Sequence, residues 1–264
     1  MSNKISIKSK DDIALMRKAG LLLQATHMVA RDLMKPGITT AEINEAVESF
    51  ITQNGAIALF KGVQGVTPYP AGSCISINDE VVHGIPGSRV LADGDLVSID
   101  IGVKLNGWCS DCACSYGIGE VSNDVQCLLD VTEGCLRIAI DKIKPGVSWR
   151  SIATVMADFA QKAGYSVVRD LIGHGIGREL WESPDVPNYS TRAIPDFKLA
   201  EGMVIAVEPM INTGTHKIYT KPDHWTICTK DGENSAHFEH TIAITSSGAE
   251  VLTCDPDGNG WALN

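Results

Sequence analysis

The spacing of apolar residues predicts that the chain begins with a helix. Met16 and Leu23 belong to an apolar stripe with the period of an amphipathic helix. Ser9 and Asp12 have the spacing of a capping pair at a helix start. The proline and glycine of KPGIT (35–39) then favour a stop and a turn. We therefore expect a helix that starts near Ser9 and ends before this turn.

The same pattern returns in the second half of the chain. KPGIT begins at Lys35 and KPGVS begins at Lys144, an offset of 109 residues. The offset also aligns apolar and glycine positions: Ile43 with Ile152, Val47 with Met156, Phe50 with Phe159, and Gly55 with Gly164. Thr39, with Glu42, and Ser148 are expected to cap the helix that follows each turn. A chance similarity between two amphipathic helix pairs is the alternative.

This repeat defines the expected domain organisation. Residues 1–264 are predicted to form one domain, with an internal repeat of about 9–120 and about 121–250. A site between the two halves is the expected arrangement.

Alternating residues between the helix pairs predict a β-hairpin. LVSIDIGV (96–103) and GWCSDCACSY (107–116) meet at Asn106-Gly107, a strong hairpin signal. Period-two alternation places Asp100 among small residues on one face of its strand, and Asp111 has the same setting on the next. No Lys or Arg occupies a neighbouring strand position, so both acids lack an obvious counter-charge.

Two further acids and a histidine complete a set of candidate ligands. Glu208 interrupts the apolar run MVIAVEPMI, and Glu239 precedes an alternating segment, so we expect all four acids to lie on the inward faces of strands. His174 lies between glycines, whose small size would leave room for a metal at its ring. Each acid alone could be a hydrogen-bonded structural residue. Together, four carboxylates match the charge of two divalent cations. Oxygen-rich ligation with one imidazole suits Mn, Fe, Co or Zn better than a structural zinc site.

Composition narrows the class of protein. A chain of 264 residues that is 44% apolar is long enough for a large core. The net charge of −10 offers no basic patch for nucleic acid. No apolar run has the length of a membrane span, and the N-terminus lacks a signal-peptide core. We therefore expect no membrane or nucleic-acid partner, a cytoplasmic location, and eight reduced cysteines.

Other patterns carry weaker alternatives. A zinc or iron–sulfur fragment is conceivable at Cys109, Cys112 and Cys114, although alternation sends Cys112 to the face opposite Cys109. The glycines at 173, 175 and 177 lack the strand–helix context of a nucleotide loop. Four more histidines are expected to be hydrogen-bonded or at the surface rather than further ligands: His216, His224, His237 and His240.

Six stretches taken in order resemble one known family. They are VVHGIP, LVSIDIGV, WCSDCACSY, GHGIGRELWESPDVPNY, VIAVEPM and FEHTIAI. Their order and spacing resemble the type I, bacterial-like methionine aminopeptidases. The resemblance implies an α+β pita-bread fold with pseudo-twofold duplicated halves around a central antiparallel sheet.

The resemblance also implies the roles of individual residues. The metal ligands by this likeness are Asp100, Asp111, His174, Glu208 and Glu239. Asp111 and Glu239 would bridge two divalent metal ions (Co, Mn, Fe or Zn). His83 matches a catalytic histidine beside the scissile bond, and Glu208 would also accept a proton from water.

The implied activity is that of a dinuclear metallo-exopeptidase. Such an enzyme removes N-terminal methionine from nascent peptides whose second residue is small, by attack of a metal-bridged hydroxide on the first peptide bond. The expected partners are the N-termini of nascent polypeptides, with the ribosome as the place of encounter, and a monomer is expected.

The likeness is imperfect around the substrate. Tyr69, Cys74 and Trp225 match pocket residues of the family, but Trp181 stands where a second histidine is usual. Leu180 and Val66 replace common aromatics. A paralogue with altered N-terminal specificity, or a low-activity binding module, is therefore the alternative. The complete ligand set argues against the binding module.

Overall fold

A computed structural model describes residues 4–255. The helices are α1 (Lys10–Leu33), α2 (Thr40–Gln53), α3 (Asn123–Lys142) and α4 (Trp149–Lys162). The strands of the first half are β1 (Ile57–Ala58), β2 (Cys74–Ile77), β3 (Glu80–Val82), β4 (Leu96–Leu105) and β5 (Trp108–Gly117). Those that follow are β6 (Ser166–Val167), β7 (Gly173–Gly175), β8 (Glu182–Val186), β9 (Val204–Val207), β10 (Met210–Asn212), β11 (Ile218–Thr220), β12 (Ile227–Thr229), β13 (Ser235–His237), β14 (Glu239–Thr245) and β15 (Gly248–Val251).

An antiparallel sheet of nine strands forms the centre of the molecule. Its order is β1-β4-β5-β14-β9-β7-β8, with β2 beside β4 and β15 beside β14. The predicted hairpin is present as β4 and β5, and it turns at Asn106 (φ 51°) and Gly107 (φ 80°). Two positive φ values in a two-residue loop are what the right-handed twist of a hairpin requires. The Asn-Gly pair therefore sets the register of both aspartate-bearing strands.

Two of the three expected helix caps form from neighbouring residues, and the third is replaced by a side chain distant in sequence. Capping boxes form at Ser9 and at Thr39, as their spacing predicts. Ser148 occupies the N-cap position of α4, but its side chain does not cap the helix. Its hydroxyl donates to Asp196 (2.6 Å), and that carboxylate accepts the backbone N–H of Arg150 (3.0 Å). A side chain from a distant loop thus supplies the cap that we expected from Ser148.

The two halves share their helical layout. α2 and α4 begin and end 109 residues apart, and so do β1 and β6. Gly37 and Gly146, in the two matching turns, have φ values of 95° and 87°. The domain limits remain a prediction, and residues 1–3 and 256–264 of the expected 1–264 domain lie outside the described residues.

The helices cover one face of the sheet. On β4, Val97, Ile99 and Ile101 pack with residues of α1 and α2. On β9 and β14, Ile205 and Ile242 pack with residues of α3 and α4. Alternation then directs the intervening residues, Asp100 included, to the opposite face. Within residues 4–255, no helix combines the length and the apolar character needed to cross a membrane.

Gly20 provides a test of how closely α1 approaches the segment that follows β15. A Cβ atom at Gly20 would overlap the carbonyl group of Leu252, which follows β15. Glycine-to-alanine changes inside helices ordinarily stabilise by about 0.5–1 kcal/mol. Because backbone blocks the added methyl, we expect Gly20→Ala to lower the free energy of unfolding by roughly 1–3 kcal/mol. Denaturant unfolding measures this difference.

Gly134 in α3 is the matched control. A Cβ there would meet only the ring edge of Phe159, a partly exposed side chain that can move. Gly134→Ala should therefore be neutral or stabilising. Equal effects of the two changes would contradict a specific close contact at Gly20.

Candidate metal centre

Strand register places two of the acids around one small residue. Ala113 of β5 is paired with Asp100 of β4 on one side and with Glu239 of β14 on the other. The two carboxylates therefore flank an alanine in a row across three strands. In the next row, Gly102 lies opposite Asp111, and a Cβ at Gly102 would be 3.3 Å from its Oδ1. Small residues at these positions make room for the carboxylates.

Glu208 reaches the site from a break between strands. β9 ends at Val207 and β10 begins at Met210, so Glu208 lies between strands. Our expectation that all four acids would lie on strand faces is wrong for this residue, because Pro209 lacks the N–H that a sheet ladder needs. The Glu208 carbonyl accepts a hydrogen bond from Asn188 Nδ2 (2.9 Å).

His174, the middle residue of β7, completes the cluster. Its Nε2 lies 3.8 Å from Asp111 Oδ2 and 3.7 Å from Glu208 Oε1. Its Nδ1 lies 2.9 Å from the carbonyl oxygen of Gly175 and donates to it, which leaves the Nε2 lone pair facing the carboxylates. Ligand atoms of Asp111, His174 and Glu239 lie within 4.8 Å of one another.

The glycines beside His174 have a different reason from the one the sequence suggests. We expected them to give a metal room. A Cβ at Gly173 would instead overlap the carbonyl oxygen of Ala206, and one at Gly175 would overlap that of Ser183. The glycines allow β7 to lie close against its neighbouring strands, which fixes the position of the imidazole.

The partners of the carboxylates indicate what the site could bind. The ion-pair contacts seen for these acids join Asp111 and Glu208 to His174. Within residues 4–255, Asp100 Oδ1 and Glu239 Oε1 are buried with no hydrogen-bond partner. Buried polar oxygens normally have one. Orphaned oxygens together with one imidazole are a donor set that fits divalent cations.

Burial and mutual repulsion disturb the protonation of these acids. Burial, and then the charge of Asp111, hold the pKa of Asp100, Glu208 and Glu239 well above the ordinary carboxyl range. Burial raises the pKa of Asp111 to about 7, partly offset by the Cys112 amide and by Asp100. Burial lowers the pKa of His174. A positive ion is therefore what the ionised form of this cluster requires.

A cavity of about 1090 Å³ opens above the cluster. The five predicted ligands and every other predicted site residue line it: Asp100, Asp111, His174, Glu208, Glu239, His83, Tyr69, Cys74, Trp181 and Trp225. His83 follows β3 with a left-handed backbone (φ 59°), and burial lowers its pKa to about 4. A non-glycine residue in this conformation is strained, a feature that concentrates at functional sites.

The apolar side of the cavity is formed by Tyr69, Cys74 and Trp225. Tyr69 donates from its hydroxyl to the carbonyl oxygen of Gly84 (2.9 Å) and meets the ring of Trp225 edge-on, with centroids 5.2 Å apart. Trp225 Nε1 donates to the carbonyl oxygen of Thr67 (2.9 Å). Val66 is 76% exposed and does not line the cavity, so the expectation that it replaces an aromatic residue of the pocket is wrong. The loop wraps around the indole and turns Val66 outward.

Trp181 lies on a loop that Glu182 anchors. Glu182 Oε1 accepts the backbone N–H of Arg178 (2.8 Å), and Oε2 lies 2.7 Å from Nζ of the buried Lys8. Leu180 is buried, whereas Trp181 is 57% exposed at the cavity rim. The indole therefore contributes little to packing.

His237 is the cavity residue that sequence reasoning missed. We expected it to be hydrogen-bonded or at the surface, but it is buried, lines the cavity and has no partner for Nε2 among the described residues. Burial, and then His83, lower its pKa to about 3. His237 lies two residues before Glu239, so strand alternation would have predicted that both side chains face the cavity. His240, in contrast, is hydrogen-bonded as expected, with Nδ1 2.7 Å from Thr253 Oγ1.

The cysteine alternative finds no support in the geometry. Cys112 packs in the apolar cluster under α1 and α2, while Cys109 belongs to a different cluster. The ligand group identified within residues 4–255 contains no thiol. No disulfide bond joins cysteines of that range.

Comparison with known proteins identifies the family. Residues 14–246 match the model of metallopeptidase family M24. Methionine aminopeptidase 1 of Bacillus subtilis is 44% identical over 252 residues, which cover 94% of this chain and 99% of the relative. The methionine aminopeptidase of Clostridium perfringens is 45% identical over 249 residues, with 94% and 98% covered.

Solved structures give the same result. The methionine aminopeptidase of Rickettsia prowazekii superposes with a TM-score of 0.90 at 39% identity, over 95% of this chain and all of that one. The prolidase of Pyrococcus horikoshii, at 24% identity, has a TM-score of 0.75 over 94% of this chain and 63% of its own, and shows the fold alone. The expected α+β pita-bread fold is confirmed. The chain belongs to metallopeptidase family M24 and, within it, to the methionine aminopeptidases.

Proposed function

We propose that this protein is a metal-dependent aminopeptidase that removes N-terminal methionine from polypeptides whose second residue is small. The observation that carries the proposal is the carboxylate and imidazole cluster at the base of an apolar-walled cavity. The N-termini of nascent polypeptides are the proposed partners, met by a monomer at the ribosome in the cytoplasm. Family membership supports the reaction class.

The proposed metal ligands are Asp100, Asp111, His174, Glu208 and Glu239. Two divalent ions (Co, Mn, Fe or Zn) would balance the four carboxylates in charge, with Asp111 and Glu239 as the bridging ligands. Asp111 and Glu239 suit that role because their ligand atoms approach both each other and His174. When bound, the metal would supply Lewis-acid chemistry, acidifying water and polarising a carbonyl group.

The protein's own groups would handle the proton and the developing charge. Glu208 is proposed to accept a proton from water, because its carboxylate lines the cavity and its Oε1 lies 3.7 Å from His174 Nε2. His83 is neutral near pH 7, since burial lowers its pKa to about 4. A neutral imidazole can still donate one hydrogen bond, to the developing oxyanion or to the leaving nitrogen.

The methionine side chain is proposed to lie against Tyr69, Cys74 and Trp225. These side chains offer an apolar surface beside the carboxylates, and the hydroxyl of Tyr69 is already bonded to Gly84. Thioether contacts with aromatic rings are favourable. The free α-amine would then reach the acidic cluster, which explains a preference for chain ends.

The first test of the function uses blocked and unblocked peptides. The metal-loaded protein should cleave Met-Ala-Ser after methionine, and should leave Nα-acetyl-Met-Ala-Ser intact because the acetylated amine can no longer bind metal. Chromatography of the products measures both reactions. Efficient cleavage of the blocked peptide contradicts the aminopeptidase assignment. Metal binding without any cleavage favours a binding module instead.

The second test concerns the ligands. Asp111→Ala or Glu239→Ala should abolish binding of a metal pair, since ligands from one side cannot replace a bridge. Metal content by mass spectrometry of dialysed protein is the measurement. Glu80→Ala is the control, because Glu80 pairs with Lys221 and does not line the cavity. Full metal content in the double variant of Asp111 and Glu239 would refute the assignment.

The third test concerns Trp181 and the alternative of altered specificity. An indole has one N–H donor and does not titrate near neutral pH, whereas an imidazole donates, accepts and changes charge. Trp181→His should raise kcat/KM on Met-Ala peptides by roughly tenfold, within the range of a positioned polar group. The exposed indole makes this change structurally mild. An unchanged or lower kcat/KM, at unchanged metal content, shows that Trp181 is only a wall residue.

A further inference from the structure

Two separate apolar clusters contribute to the cavity lining, and each forms one apolar wall. Tyr69, Cys74 and Leu180 belong to one apolar cluster, with Trp225 packed against it. Val82 and Met210 belong to a separate cluster. Both walls line the same cavity. If the methionine side chain lies against the first wall, the part of the peptide that follows methionine would contact the second wall.

His237 lies at the second wall. It is paired directly with Met210 across β10 and β13, and β13 packs beside β3, which leads into His83. The next residue, Phe238, is buried in the cluster under α3 and α4. Alternation about Phe238 therefore directs His237 and Glu239 to the cavity face.

The backbone of His237 is fixed on both sides by one serine. Its N–H donates to Ser115 Oγ (2.8 Å), and the Ser115 hydroxyl donates to its carbonyl oxygen (2.9 Å). Ser98 Oγ, 2.7 Å away, supplies the remaining hydrogen bond to Ser115. The ring is thus held at the cavity on a rigid strand rather than on a mobile loop.

The ring carries an unused hydrogen-bonding atom. His237 is 2% exposed, and its Nε2 is buried with no partner within the described part of the chain. An unsatisfied buried polar atom is costly, and in a native structure it calls for an explanation. A ligand in the cavity that offers an amide N–H or a carbonyl oxygen would satisfy it.

We propose that His237 binds the substrate, with Nε2 hydrogen-bonded to the peptide backbone on the leaving-group side of the scissile bond. This inference rests on the proposed function. It assigns to His237 a specificity role for peptides over free amino acids, because free methionine has no backbone beyond its own carboxyl group. The second wall then receives the residue that follows methionine.

The test compares three variants on two ligands. His237→Phe keeps a ring of similar shape and removes the nitrogen, His237→Leu removes the ring, and His237→Gln keeps a neutral hydrogen-bonding group. We expect His237→Phe to lower kcat/KM for Met-Ala-Ser by roughly tenfold to a hundredfold, and His237→Gln to stay within about threefold of the unmodified protein. The inhibition constant of free L-methionine should change by less than about twofold in both, because it makes no contact at the second wall.

His27 provides the matched control. It is a buried histidine of α1 whose Nε2 lies 2.9 Å from the carbonyl oxygen of Cys112, and it does not line the cavity. His27→Phe should lower the unfolding temperature and leave kcat/KM per folded molecule unchanged. If His237→Phe does not fold, His237→Leu replaces it in the comparison.

The outcomes separate this inference from the proposed function. No cleavage by the unmodified, metal-loaded protein overturns the proposed function. With normal cleavage by the unmodified protein, an unchanged kcat/KM in His237→Phe overturns the role of His237 alone. An equal loss of L-methionine binding, or a fall in metal content, also overturns it, because His237 would then support the methionine pocket or the ligands.

Discussion

The structure depends on the electrostatic repulsion among four carboxylates buried together. Asp111 and Glu239 are buried, Asp100 is partly buried beside them, and the charges of neighbouring acids raise the pKa of Asp100 and Glu239 further. Such a cluster is unfavourable by itself, because burial penalises each charge and the neighbouring charges add to the penalty. Protonation removes these repulsions, whereas a cation bound among the acids would turn them into attractions. The rest of the molecule supplies a frame stiff enough to keep the acids together.

The sheet provides that frame. Ala113 and Gly102 occupy the positions next to the acids, and the backbone N–H of Asp111 donates to Thr241 Oγ1 (2.9 Å). On the opposite face, apolar side chains such as Ile99 and Ile101 bind the sheet to the helices. Because side chains alternate along each central strand, one face packs against the helices and stabilises the fold, while the other face carries the acidic residues.

The sequence predicted the features that local rules determine. The Asn106-Gly107 turn, the Ser9 and Thr39 caps and the facing of Asp100 each depend on residues close together in the chain. Cross-strand neighbours were harder to predict, because the register between two distant segments depends on both segments and on the rest of the sheet.

Long-range contacts account for the errors. Asp196 caps α4 from 46 residues beyond Arg150, and the glycines beside His174 make room for the backbone of other strands rather than for an ion. Nε2 of His237 lacks a hydrogen-bond partner because three-dimensional packing offers it none within residues 4–255. Resemblance to a family predicted five ligands, but it could not describe residues at which this chain departs from that family.

The anchored loop that carries Trp181 has a consequence for how such an enzyme can change. Glu182 accepts the backbone N–H of Arg178 and pairs with Lys8, and neither contact involves the exposed side chain of Trp181 at the cavity rim. Residues at the cavity rim can therefore be substituted one at a time while His174 keeps its position. Substrate preference and metal chemistry become separable traits, so selection or an engineer can alter the first without endangering the second.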